Sequence, residues 1–212
     1  MALGSGRKAQ FEKLLQELKT LVLGGSVGFA AGVAEELENL ANKGASFSAL
    51  PRTAYTRYFS AVAPPKSSTT LINQMTLFIG AFSFYWHAID RYSFRPKNEA
   101  LRKAVLDPIV FAMSKELAEM VVKSGMKTTA EAAVAAVQPL SLRYAGARAL
   151  ADPKDVENSA VFIAGYSIVN DTELPLTAEE KAALAGIVVA KLLEGIAKLD
   201  LPKRIKALET LL

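Results

Sequence analysis

From Ser67 to Ile89 the chain carries no charged side chain. A segment of that length has to be hidden, either in lipid or in protein, because about 20 apolar residues suffice to cross ~30 Å of hydrocarbon. This one opens Ser-Ser-Thr-Thr and contains Asn73, Gln74, Thr76, Ser83 and His87. Each of those groups costs about 1–2 kcal/mol to bury without a partner. The polar content favours a buried central helix of a soluble protein over Ser68–Phe94. A mean hydropathy of +0.21 keeps a membrane-associated helical protein as a second alternative.

The spacing inside the segment is helical. Leu71, Met75, Phe78, Phe82, Tyr85 and Ile89 recur every three or four residues and share one face. A second set, Asn73, Thr76, Gly80, Ser83, His87 and Asp90, forms a narrow seam of small and polar groups on a helix otherwise apolar all round, the pattern of a helix at the centre of a bundle. The seam must meet water, a partner helix or a ligand. On the structural reading, Gly80 and Ser83 admit another helix and His87 bonds to backbone or to Ser83. On the functional reading, Asn73, Ser83, His87, Asp90 and Arg91 line a small pocket that takes an apolar ligand. His87 has a suitable reference pKa of ~6.5 for a general base. Asp90, three residues on along the same helix, is poorly placed to orient it as a triad carboxylate does. No catalytic residue is assigned, and the chain reads as non-catalytic.

Composition closes other routes. There is no cysteine and one histidine, which excludes disulfide scaffolds, thiolate metal sites and any centre needing two imidazoles. Glu35, Glu36 and Glu38 read as a solvated helix face, so no metal site and no cofactor are expected. Residues 43–106 carry nine basic side chains against Asp90 and Glu99, a local charge of +7 in a chain whose net charge is +4. Arg52, Tyr55, Arg57, Tyr58 and Lys66 have the residue types that contact phosphates and stack bases. The cations are too dispersed for a tight patch, so nucleic acid is disfavoured. A solvated basic surface is the default, with an anionic membrane surface or an acidic protein as competing partners.

The remaining periodicity is helical nearly throughout. Phe11, Leu14, Leu15, Leu18 and Val22 form one stripe, expected to stop at Gly24-Gly25, with Ser26 capping a second helix to about Asn42. Gly24, Gly28 and Gly32, like Gly80, read as sites of close helix packing. Ser48 and Pro51 open a short helix that ends at Pro64-Pro65. Asn98 opens another, in which Asp107-Pro108 is either an N-cap with proline or a kink. Thr128-Thr-Ala-Glu131 and Thr177-Ala-Glu-Glu180 are capping-box patterns. A short helix is expected over Leu140–Leu150. Asp152-Pro153 opens a segment whose core, Val161–Val169, is rich in β-branched residues but has no strand to pair with, so it reads as helix. Leu199–Pro202 is a break before the last helix.

The expected architecture is a single all-α domain over residues 1–212, a multi-helix bundle around residues 68–94, with a weak joint at 170–177. The expected role is a non-catalytic interaction or assembly protein whose partner is a second copy or another protein, and self-association is favoured. The alternative is a small-ligand-binding protein or enzyme using the His87 seam. The absence of a secretory pattern and of cysteine gives cytoplasm as the default compartment.

Overall fold

A computed structural model describes residues 5–43, 52–62, 68–94, 99–124, 129–135, 143–144, 146–147, 149–152, 154–172 and 174–212. Among them are eight α-helices: α1 (Ser5–Lys43), α2 (Arg52–Val62), α3 (Ser68–Phe94), α4 (Glu99–Ser124), α5 (Ala130–Ala135), α6 (Ala160–Asp171), α7 (Ala178–Leu199) and α8 (Leu201–Glu209). The β-structure among the described residues is one isolated parallel bridge, Ala149 to Ser159. The fold is an all-α multi-helix bundle, as the periodicity requires.

The uncharged segment is the rod at the centre. α3 packs against α1, α2, α4, α6, α7 and α8, and Phe78, Ala81, Phe82, Phe84, Tyr85, Ala88 and Ile89 are each at most 1% exposed. Other helices of the protein sheathe it. One apolar cluster runs from Phe11 in α1 to Leu208 in α8. α1 is the one helix among the described residues long and apolar enough to cross a membrane, a test that a core helix also passes; 39% of its most apolar window is buried in the protein.

Two expectations need correction. α1 does not stop at Gly24-Gly25; it continues unbroken to Lys43. The buried stripe Leu18, Val22, Phe29, Val33 and Leu37 carries on across the glycines, and that packing outweighs about 1 kcal/mol of lost propensity per glycine. Ser26 is no cap: its hydroxyl donates to Val22 O at 2.7 Å, the back-bond of a mid-helix serine. Of the two readings of Asp107-Pro108 the N-cap is excluded, since α4 runs through Pro108 as one continuous helix.

Other ends follow local chemistry. Thr177 and Glu180 form the expected reciprocal capping box at α7. At α5 the cap is Thr129, whose hydroxyl accepts from Ala132 N, one residue later than the expected start. Val161–Val169 is helical within α6. That helix begins at Ala160, where the amides of Ala160 and Val161 donate to the carbonyls of Ala149 and Leu150, each at 2.9 Å, which satisfies two of the orphan donors of a helix start. Between α7 and α8 the chain turns on Asp200, whose φ of 43° is left-handed, a conformation aspartate tolerates better than most residues. The expectations at Ser48, Pro51, Pro64-Pro65 and Thr128, and most of Leu140–Leu150, lie outside the described residues.

Candidate functional site

The seam residues share a face of α3 as the spacing demands, yet their polar groups turn to separate structural tasks. Asn73 is fully buried and its Nδ2 donates to Ala61 O at 3.2 Å. Gln74 Nε2 donates to Val62 O at 3.0 Å. Together they close the C-terminal end of α2. Ser83 donates to Ile79 O at 2.7 Å within its own helix. Gly80 marks a tight crossing with α6: a Cβ there would overlap the Ile168 side chain.

The charged end of the seam is engaged from outside α3. Both carboxylate oxygens of Asp90 accept from Arg102 of α4, through Nε and through NH2, the latter at 3.2 Å. A two-point guanidinium–carboxylate pair of this kind is directional and strong. It leaves Asp90 bonded to α4 rather than to His87. Arg91 NH1 donates to Ala147 O at 2.7 Å.

His87 packs edge-on against Tyr144, with ring centroids 5.5 Å apart, and its buried Nε2 has no hydrogen-bond partner among the described residues. Burial, with the Arg91 guanidinium adding to it, pushes the imidazole down to about 4, while Asp90 acts in the opposite direction. Burial also raises the Tyr144 hydroxyl, another buried group without a partner among the described residues. At neutral pH the pair is therefore two uncharged rings in van der Waals contact.

The stretch Gly24-Gly25-Ser26-Val27-Gly28 has the Gly-x-Ser-x-Gly spacing of a nucleophile elbow, a signal the seam-centred reading leaves out. An elbow holds its serine exposed on a strand-to-helix turn. Here Ser26 is fully buried in the middle of α1, and its hydroxyl is spent on Val22 O. Among the described residues no group of three or more His, Asp or Glu side chains is placed to hold a metal ion, and Glu36 pairs with Lys191 at 3.5 Å.

The aromatic residues of the basic middle are also committed. Tyr55 and Tyr58 are 3% and 0% exposed, so neither offers a face to a base. Arg57 lies 5.2 Å from the Tyr58 ring centroid and pairs with Glu180 at 2.5 Å, tying α2 to the start of α7.

Two concavities open elsewhere. A trench of about 710 Å³ runs along α4, with Trp86 of α3 as one wall, Leu106 and Met113 as its floor and Phe111 at its edge. Its charged end carries Arg102, Lys103 and Asp107. A smaller groove of about 410 Å³ lies between α1 and α7, lined by Gly24, Gly28 and Gly32 on one side and Gly195 on the other. Gly195 makes room for the Tyr85 hydroxyl, which a Cβ there would overlap. Gly24 and Gly28 have no such neighbour, since a Cβ at either would meet nothing within 4 Å, and at Gly32 it would reach only Lys191 Cδ at 3.9 Å. These three glycines therefore border open space rather than a close helix crossing.

Arg102, Trp86 and Phe111 are the residues that the sequence reading missed. One signal was available. Phe111 is a large apolar residue off the buried stripe of Ile109, Met113 and Leu117, and it is 75% exposed. Comparison of the chain with protein-family models, with curated proteins and with solved structures found no match.

Proposed function

We propose that the protein is a non-catalytic helical assembly protein that associates with itself. The observation that carries this reading is the outer face of α4, where Phe111 and Val122 stand 75% and 81% exposed, about three turns apart on one side of the helix. Single exposed apolar residues are ordinary, but two on one side of one helix, with Phe111 at the edge of a concavity, favour an interaction surface. The non-catalytic half of the reading is supported by the seam, whose hydrogen-bonding groups hold α2, α4 and the Ala147 segment in place.

The trench beside Phe111 favours one second reading, a small apolar ligand bound there rather than in the His87 seam, since its volume falls in the usual range of such sites, about 300–1,000 Å³. On the primary reading the protein works in an aqueous compartment, the cytoplasm by default. Native mass spectrometry with sedimentation at several concentrations separates the readings. Stoichiometric dimers that grow with concentration are expected. A monomer up to about 100 µM, where an interface of ordinary affinity is filled, overturns self-association; a retained small molecule on that monomer selects the second reading. Partition of the native protein into detergent would instead point to lipid.

A further inference from the structure

The exposed face of α4 has a pattern that is complementary to itself. Lys103, Asp107, Phe111, Lys115 and Glu119 follow one another at four-residue intervals, and all five are exposed. Residues at that interval form a ridge along a helix, and ridges of this kind pack into one another between helices. Read backwards from Phe111, the series is the charge complement of itself read forwards. If two copies of α4 cross antiparallel with Phe111 at the centre, Phe111 meets Phe111, Asp107 meets Lys115, and Lys103 meets Glu119. The next exposed positions outward also agree: Val122 falls opposite Ala100, small and exposed. An isologous contact requires this, because residue i must suit residue j and residue j must suit residue i.

We infer that the self-association proposed above is a two-fold dimer in which α4 packs antiparallel on α4 of a second copy, with Phe111 on the axis. This rests on the self-association reading and adds its register. The shape agrees with the charge. Phe111 is 75% exposed at the edge of the trench, so each copy presents a projecting ring that the ring of the other copy meets on the axis. Nearest the axis the contact is apolar, flanked on either side by an Asp107–Lys115 pair. Opposite charges set register and speed encounter, while like charges placed face to face are strongly repulsive. Among the described residues neither Asp107 nor Lys115 has an ion-pair partner within the protomer.

Charge exchange tests the register directly. In a dimer of Asp107→Lys chains each introduced lysine faces Lys115, and in a dimer of Lys115→Asp chains each introduced aspartate faces Asp107. Each single variant should dimerise about tenfold more weakly than wild type, or worse. Mixing the two variants in equal amounts brings opposite charges together at both positions, so the mixture should form a heterodimer near wild-type strength. The double variant should recover homodimers as well. Native mass spectrometry reads all three, since the variants differ in mass. Both positions are exposed, so unchanged denaturation midpoints are expected of the variants at concentrations low enough for every chain to be monomeric. If wild type dimerises but the single variants do so equally well, or the mixture fails to recover, the register falls and self-association stands. If wild type is monomeric throughout, both fall.

Discussion

The glycines at the centre of the molecule and those on the outside of α1 are the same residue used against opposite surroundings. At Gly80, Gly165 and Gly195 a Cβ would strike Ile168, Val189 and Tyr85 respectively. At Gly24 and Gly28 it would strike nothing. A helical glycine forfeits about 1 kcal/mol relative to alanine wherever it sits. In the core that loss is offset by helices brought within contact of each other. On α1 the buried stripe carries the loss, but no described residue packs against Gly24 or Gly28 themselves, so the outer glycines are a reserve of unused stability while the inner ones are a packing requirement.

The sharpest way to break this contrast is Gly195→Ala or Gly80→Ala. The Tyr85 ring is 1% exposed and has Phe84 beside it at 6.0 Å between centroids, so it has little room to retreat. Each substitution should destabilise by about 2–3 kcal/mol, as overpacking of a filled core does, measured as a lower urea midpoint at constant slope. A retained midpoint would mean that the crossings relax freely.

A smaller effect should come from His87, at the inner end of the same comparison. Above pH ~6.5 neither the folded nor the unfolded chain holds a proton on this ring. Between there and about 4, the folded-state value, the unfolded chain takes up a proton that the folded protein refuses, so stability is lost as the solution becomes more acid. The ring is partly solvated, which limits the loss to about 1–2 kcal/mol. The difference between wild type and His87→Gln, followed from about pH 7.5 to 5, isolates it from the carboxylates. Parallel curves would place His87 in water.

Smallest, and opposite in sign, are Gly24→Ala and Gly28→Ala. Each should raise the stability of the protomer by about 0.5–1 kcal/mol and leave the oligomeric state unchanged if α4 is the dimer contact. A loss of stability at either position would show that the outer glycines serve a contact after all.

The parts of the fold legible in the sequence were those decided within a few residues. The limits of α3 and its buried face followed from spacing, and the Thr177 cap followed from side-chain chemistry. Gly24-Gly25 misled because tertiary packing overrode a local breaker signal: Phe29, Val33 and Leu37 gain more from burial than the glycines lose. The candidate site was legible as a face but not as a function. Nothing near Asp90 in sequence announces that Arg102 will take both of its oxygens, or that Ala147 O will take Arg91 and Tyr144 will cover His87. Each partner arrives from a different helix or connection, and helical periodicity is silent about which faces meet. The α4 pattern, by contrast, was present in the sequence. It needed the structure only to show that all five positions face outward.

Trp86 is the chain's sole indole, and it stands in the wall of the α4 trench. Its emission spectrum therefore reports on one location and no other. Covering that wall, by a second copy or by a small molecule, would displace water from a single chromophore, so that assembly announces itself as a blue shift without any label attached.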